Sequence, residues 1–84
     1  LDAIALARQE GGQVLCGGGV PAMPPLFEGG WFVEPTVITG LGPVCQTNEN
    51  EIFGPVVTIQ AFDDEEEALA LANAGRYGLA AQVW

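Results

Sequence analysis

The stretch Glu51–Pro55, with the sequence EIFGP, is the most informative part of this chain, and the apolar run VVTI at 56–59 follows it directly. A Gly-Pro bend before an apolar run predicts a turn that leads into a strand. A carboxylate held at the mouth of a strand can accept two hydrogen bonds from a vicinal diol. An aromatic side chain two residues later can face a flat heterocycle. Glu51 and Phe53 are therefore candidate binding residues, with an ordinary surface carboxylate before a turn as the open alternative for Glu51.

The residues after this turn predict a strand over Val56–Phe62, in which Val57 and Ile59 alternate with polar neighbours. A helix is expected next. Its predicted N-cap is Asp63 with Glu66 at the capping-box position, its buried stripe is Ala68, Leu69, Leu71 and Ala72, and Gly75 follows its end. Leu79–Trp84 predicts a further strand.

The residues before the turn predict a helix that opens the chain, with Leu1, Ile4 and Ala5 on one face and Gly11-Gly12 as its stop. Gln13–Cys16 predicts a short strand. A β-rich segment is expected over Trp31–Thr39, where Pro35 marks an edge, a bulge or a break because proline cannot donate to a ladder. We interpret 40–50 as a loop.

The predicted order is helix, strand, β-rich segment, strand, helix, strand. The last three elements form a βαβ unit, whose parallel strands are joined by a right-handed crossover. This order predicts the α/β class. A chain of 84 residues holds at most one small domain, and both of its ends lie inside predicted elements. We therefore expect 1–84 to be a piece of a larger α/β domain.

Charge and composition exclude several classes of function. The net charge is −9, with Arg8 and Arg76 as the basic residues, so the chain cannot build the basic surface that nucleic acid binding needs. No apolar run approaches the ~20 residues of a membrane span, and the first ten residues do not resemble a signal peptide. The acids at 63–67 fan outward on a helix start and do not converge on a metal.

The chain has two cysteines, Cys16 and Cys45, and no histidine. This excludes a cysteine–histidine pair and the ligand spacing of a zinc site. Both cysteines lie beside apolar residues, so we interpret them as small buried hydrophobic side chains or idle thiols, with an adventitious disulfide as the alternative. Two cysteines do not make a disulfide scaffold, which favours a reducing, cytoplasmic location.

Gly17–Gly19 follows a predicted strand, as the glycines of a dinucleotide-binding turn do. Such a turn runs straight into a helix whose N-terminus holds the phosphates. Here the glycines lead into a loop with Pro21, Pro24 and Pro25. We interpret this stretch as a plain loop and not as a phosphate site.

Four blocks of sequence together resemble the NAD(P)-dependent aldehyde dehydrogenase superfamily. They occur in the family's order and spacing: GWFVEPTV at 30–37, EIFGPV at 51–56, EALALAN at 67–73 and YGLA at 77–80. The resemblance covers essentially the whole chain and corresponds to the later part of the family's catalytic domain, within a three-layer parent fold. It implies that 1–84 is a fragment of that domain, without the cofactor-binding domain and the nucleophile segment.

The resemblance also implies a role for two residues. Glu51 matches the glutamate that hydrogen-bonds both hydroxyls of the nicotinamide ribose, and Phe53 matches the aromatic residue that packs beside that ribose and the nicotinamide ring. The implied cofactor is NAD or NADP. The family often has an acid just before the motif glutamate, where this chain has Asn50, but that position is not the ribose ligand.

For the parent enzyme, the resemblance implies oxidation of an aldehyde to the carboxylic acid. A cysteine thiolate attacks the aldehyde carbon to give a thiohemiacetal, hydride passes to the nicotinamide, and water hydrolyses the thioester. The family's catalytic residues lie in segments outside this chain, so no catalytic residue and no metal ligand is assigned, and the isolated chain is expected to be inactive. The implied partners are the aldehyde and the cofactor, in a homo-oligomer.

Two alternatives to an enzyme segment stay open. The first is a small non-catalytic α/β binding module. The second is a remnant without a function of its own. A nucleophile motif encoded upstream would favour the enzyme. An intact-mass measurement would separate a cleaved product from a short gene.

Overall fold

The computed structural model describes all residues 1–84 and consists of a three-stranded sheet with three helices. The elements are α1 (Asp2–Gln9), β1 (Gln13–Cys16), β2 (Thr36–Thr39), α2 (Gln46–Glu49), β3 (Val56–Ile59) and α3 (Glu65–Ala72), with a 3-10 turn at Pro25–Phe27. The α/β class is confirmed. None of these helices has the length and apolar character needed to cross a bilayer.

The central strand β2 lies between β1, to which it is antiparallel, and β3, to which it is parallel. Ile38 is opposite Val14 on one side and Thr58 on the other. Because directly opposed residues share a face of the sheet, these side chains point the same way. Ile38 packs there with Ala7 of α1 and Leu41, and this small cluster is the apolar core of the chain.

Strand β2 is shorter than the predicted β-rich segment Trp31–Thr39, because only the last four residues of that segment, Thr36–Thr39, join the sheet. It begins directly after Pro35, so the proline marks the start of the strand. The N–H of Thr36 donates to the carbonyl of Pro55 at 2.8 Å, and this bond opens the parallel pairing with β3. The start of β2 is thereby tied to the end of the stretch Glu51–Pro55.

The alternation in β3 predicted that Val57 and Ile59 form the buried apolar face. This prediction is wrong, because the structure buries the opposite face of the strand. Val56 packs against the core, whereas Val57 and Ile59 are 54% and 51% exposed. The register explains this, because Val56 is opposite Thr36 and so shares the face on which Ile38 and α1 lie. The second face of the sheet is apolar and uncovered.

Helix α1 packs through a different stripe from the one predicted. Ile4 and Ala7 are 2% and 0% exposed, while Leu1 and Ala5 are exposed. The predicted stop is confirmed, because Gly11 follows the helix with a φ of 94°, a conformation that glycine adopts at little cost.

Helix α3 begins one residue later than predicted. Its N-cap is Asp64, whose carboxylate accepts from the N–H of Glu67 at 2.8 Å, and the Glu67 carboxylate accepts from the N–H of Asp63 at 2.9 Å. The predicted pair Asp63 and Glu66 is therefore wrong by one position. The C-cap is Asn73, so Gly75 is not the residue that ends the helix.

The predicted buried stripe of α3 is also wrong, because no residue of this helix is buried. Ala68 and Leu71 are half-buried, and Leu69 and Ala72 are exposed. The face of the sheet that carries Val57 and Ile59 is exposed as well, and α3 does not pack extensively against any strand.

The predicted strand over Leu79–Trp84 is absent, since these residues have no regular structure. Leu79, Val83 and Trp84 are fully exposed, and no strand of the chain lies beside them to supply a ladder. The βαβ unit that was placed around α3 is therefore wrong. The structure has instead an earlier unit in which α2 lies in the connection between the parallel neighbours β2 and β3.

Candidate functional site

The stretch Glu51–Pro55 links the end of α2 to the start of β3. Its carboxyl end is held by the bond from Thr36 to Pro55 and by the N–H of Val56, which donates to the carbonyl of Gly54 at 2.8 Å. Its amino end follows α2 directly. The candidate residues thus lie on a short loop that is fixed at both ends by regular structure, which is a common arrangement for binding residues.

A surface cavity of about 340 Å³ lies along this loop, and the structure brings both predicted site residues to it. Its lining consists of Thr47, Asn48, Asn50, Glu51, Ile52, Phe53, Gly54, Val56 and Thr58. A second depression of about 520 Å³ is lined by the segment 77–80 together with Asn48, Asn50 and Glu51. These three residues line both depressions.

Glu51 is exposed. The hydrogen bonds around it are made by Asn48 and Asn50, and none of them uses the Glu51 carboxylate. A carboxylate that has no partner in its own chain keeps both oxygens for a ligand. Two oxygens on one planar group suit a pair of neighbouring hydroxyl donors.

Phe53 is distinguished by its backbone and not by its exposure. The residue is 90% exposed, and Trp31 and Trp84 are fully exposed as well. The φ of Phe53 is 41°, and no other residue except glycine has a positive φ in this chain. Such a backbone conformation costs a residue with a Cβ roughly 1–2 kcal/mol. Strain of this kind is typical of functional sites, and it adds weight to the prediction that Phe53 contacts a ligand.

Asn48, Asn50 and Arg76 form the polar border of the site. The side-chain amide of Asn48 donates to the Gly42 carbonyl at 2.9 Å, and that of Asn50 donates to the Gln46 carbonyl at 3.1 Å. The guanidinium of Arg76 donates to Asn50 Oδ1 at 3.1 Å. A hydrogen bond to the Tyr77 hydroxyl raises the pKa of Arg76, so its charge is secure. This border connects the loop to the chain beyond α3.

Glu10 is the residue near this site that the sequence did not reveal. Its carboxylate accepts from the N–H of Gln46 at 2.7 Å, from the N–H of Thr47 at 3.0 Å and from the Thr47 hydroxyl. It thereby caps α2 from the end of α1. The hydrogen bond from the Thr47 side chain, opposed by partial burial and helped by the two N–H groups, lowers the pKa of Glu10. The 37 positions between Glu10 and Thr47 leave no local sequence signal.

The other candidate chemistries find no support in the geometry. Cys16 is exposed, and so is not the buried side chain that one interpretation expected, because a register shift in β1 places it opposite Val37, on the uncovered face of the sheet. Cys45 is half-buried, and both are free thiols. No three side chains of the acid, cysteine or histidine type are grouped as metal ligands. Gly17–Gly19 leads into irregular chain. The N–H of Gly18 donates to the Thr36 hydroxyl at 2.9 Å, so this loop supports β2.

Comparison with known proteins gives one consistent result. The model of the aldehyde dehydrogenase family matches residues 1–84. The chain is 48% identical to a 2-aminomuconic 6-semialdehyde dehydrogenase of a Pseudomonas species over 84 residues, which is 100% of this chain and 17% of that protein. It therefore spans about one sixth of the length of this relative.

Two solved structures support the same family. An aldehyde dehydrogenase of Bacillus cereus is similar with a TM-score of 0.87 and 40% identity, over 99% of this chain and 16% of that one. The betaine aldehyde dehydrogenase of Staphylococcus aureus, solved in complex with NAD+, is similar with a TM-score of 0.82 and 40% identity, over 93% of this chain and 16% of that one. The similarity thus includes the arrangement of the elements as well as the residues.

Proposed function

Because this chain belongs to the aldehyde dehydrogenase family, we propose that residues 1–84 are a segment of the catalytic domain of a longer enzyme that oxidises an aldehyde to the carboxylic acid with NAD or NADP. The chemistry is the addition of a cysteine thiolate to the aldehyde to give a thiohemiacetal, loss of hydride to the cofactor, and hydrolysis of the thioester by water. The thiolate comes from a segment outside 1–84, and the isolated chain is inactive.

Within that enzyme, the function of this segment is to bind and orient the nicotinamide end of the cofactor. The Glu51 carboxylate accepts a hydrogen bond from each hydroxyl of the nicotinamide ribose, and the Phe53 ring packs beside the ribose and the nicotinamide. The observation that carries this proposal is the placement of an exposed, unpaired carboxylate and a strained, 90% exposed aromatic on one cavity of about 340 Å³.

The residues fit this ligand in their chemistry. Charge-assisted hydrogen bonds to an ionised carboxylate are worth ~1.5–3 kcal/mol each, which is enough to fix a ribose. An exposed ring gains from covering a flat heterocycle. When bound, the cofactor supplies the hydride acceptor, and this segment only places it. The structure of a relative with NAD+ bound supports the same ligand class.

A crystal structure of the full-length protein with NAD+ tests the proposal directly. The proposal predicts both Glu51 oxygens within ~2.6–3.2 Å of the two hydroxyls of one ribose, with the Phe53 ring against that ribose or the adjoining nicotinamide. A bound cofactor whose riboses both lie away from Glu51 would overturn the assignment. Glu66, an exposed acid on α3, is expected to remain far from the cofactor.

A further inference from the structure

Helix α2 does not have a cap of its own. It has four residues, and the residue at its N-cap position, Cys45, makes no side-chain bond to it. An isolated helix of this length is unstable in water, and the N–H groups of its first turn have no partner within the helix. Both of the N–H groups of Gln46 and Thr47 instead donate to the Glu10 carboxylate. The formation of α2 therefore depends on Glu10.

Glu10 lies next to the most buried part of the chain. It follows α1 directly, and Ile4 and Ala7 of that helix are among the most buried residues. The N–H of Gly12 donates to the Ala7 carbonyl at 2.8 Å, so the chain on the other side of Glu10 is fixed as well. The carboxylate thus holds α2 at a defined position relative to the core.

The position of Glu51 in turn depends on α2. The N–H of Asn50 donates to the Gln46 carbonyl at 3.0 Å and closes the helix one residue before Glu51. Thr47, which is 5% exposed, and Glu51 line the same cavity. The Glu51 carboxylate has no hydrogen bond of its own within the chain. The position of Glu51 is therefore set by the backbone that leaves the end of α2.

We propose that Glu10 is a positioning residue for the cofactor contact: its carboxylate, by capping α2 through Gln46 and Thr47, holds Glu51 where it meets the ribose. This inference rests on the proposed function, because it concerns the same cofactor contact. It adds a residue at the end of α1, distant from Glu51 in the sequence, that acts through α2 and not through contact with cofactor or substrate.

A double-mutant cycle in the full-length enzyme tests this. Glu10→Gln keeps the shape of the side chain and removes its charge and one of its acceptor oxygens. We expect kcat per active site, counted from alkylation of the peptide that carries the catalytic cysteine so that Cys16 and Cys45 are not included, to fall roughly three- to tenfold when Glu51 is present. In the Glu51→Gln background the same change should alter kcat by less than about 1.5-fold, because there is no longer a bidentate contact to misplace.

A role of Glu10 in stability alone predicts a different pattern. The number of active sites would then fall, while kcat per site would stay unchanged in both backgrounds, and that result overturns the proposal. An equal fall in both backgrounds overturns it as well. Failure of the proposed function appears separately, as a Glu51→Gln enzyme with unchanged kcat.

Two further variants complete the test. Thr47→Val removes the hydroxyl donor and leaves both N–H bonds to Glu10, so it loosens the cap without removing the carboxylate. If Glu10→Gln does not fold, the same cycle with Thr47→Val decides the question, with an expected fall of roughly two- to threefold that is absent in the Glu51→Gln background. Glu28→Gln is the matched control, because Glu28 is exposed and lies on neither α1 nor α2, and we expect no change.

Discussion

The Glu10 carboxylate accepts hydrogen bonds from both the N–H and the hydroxyl of Thr47, which is 37 positions further along the chain. This contact joins the end of α1 to the start of α2, the helix that directly precedes the loop carrying Glu51. Substitution of either residue therefore affects the loop and not only the helix in which the residue lies.

The contact gives a prediction about pH. Since the folded state lowers the pKa of Glu10, its stabilising contribution is fully present above the unfolded pKa of ~4.3 and is lost as pH falls through the lower, folded value. We expect the full-length enzyme to have a higher Tm than its Glu10→Gln variant at pH 7, and the difference to shrink below pH ~4.3 as the wild-type carboxyl takes up a proton.

Thermal unfolding followed by circular dichroism over this pH range measures that difference. Glu28→Gln is the control and should match the wild type at each pH. A difference between wild type and Glu10→Gln that stays constant from pH 7 to pH 3 would show that the charge of Glu10 is not what caps α2.

Phe53 allows backbone strain to be separated from ring contact. Phe53→Ala and Phe53→Gly both remove the ring, and only glycine relieves the positive φ. We expect the glycine variant of the full-length enzyme to be more stable than the alanine variant by about 1 kcal/mol, while both bind the cofactor more weakly than the wild type. Denaturant unfolding and cofactor titration measure the two effects. Equal stability of the two variants would contradict the strain, and wild-type cofactor affinity in both would contradict the ring contact.

The isolated chain of 84 residues should have no aldehyde dehydrogenase activity. It has neither a cysteine–histidine pair nor a dinucleotide-binding turn. Absorbance of the reduced nicotinamide, followed with NAD, NADP and a panel of aldehydes, measures this, with the full-length enzyme as positive control. Reproducible turnover by the pure short chain would refute the prediction.

The isolated chain should also self-associate. Trp31, Leu79, Val83 and Trp84 are fully exposed, and β1 and β3 each have one unpaired edge, so both apolar surface and edge pairing favour association. Sedimentation velocity over a wide concentration range measures this, and the triple substitution of Leu79, Val83 and Trp84 by serine should weaken it. A strictly monomeric profile of the unsubstituted chain would count against the prediction.

The elements whose signals are local were predictable from sequence. The glycine stop of α1 and the positions of the short strands β1 and β3 follow from patterns within a few residues. The predicted faces were wrong, because α1 buries Ile4 and Ala7 and β3 turns Val57 and Ile59 to the uncovered side. The true start of α3 differs by one residue because Asp63 and Asp64 are both good caps, and the tertiary position of the turn decides between them.

The elements that were predicted wrongly depend on contacts with residues that are distant in the sequence, or on a neighbouring strand that this chain does not provide. Helix α2 exists because Glu10 caps it from another element, so the residues Gln46–Glu49 alone predict only a loop. Leu79–Trp84 has the composition of a strand, but no neighbouring strand in this chain pairs with it. At the candidate site, Glu51 and Phe53 as cofactor contacts stay a prediction that rests on the family resemblance. The positive φ of Phe53 was not predictable, because residues with a Cβ rarely adopt it.

The proposed contact between Glu51 and the nicotinamide ribose is tested by the kinetics of Glu51→Gln in the full-length enzyme. The substitution keeps the shape but places an amide NH₂ against a ribose hydroxyl. Loose placement penalises hydride transfer more than binding, so we expect kcat to fall roughly ten- to a hundredfold, about 1.4–2.7 kcal/mol, with a smaller change in cofactor Kd.

The decisive measurement is the primary isotope effect on kcat with deuterated aldehyde, for wild type, Glu51→Gln and the control Glu66→Gln. We expect a larger isotope effect in Glu51→Gln, because hydride transfer becomes rate-limiting, and wild-type values in Glu66→Gln. An unchanged kcat together with an unchanged isotope effect in Glu51→Gln would contradict the proposed contact and leave Glu51 an ordinary surface acid.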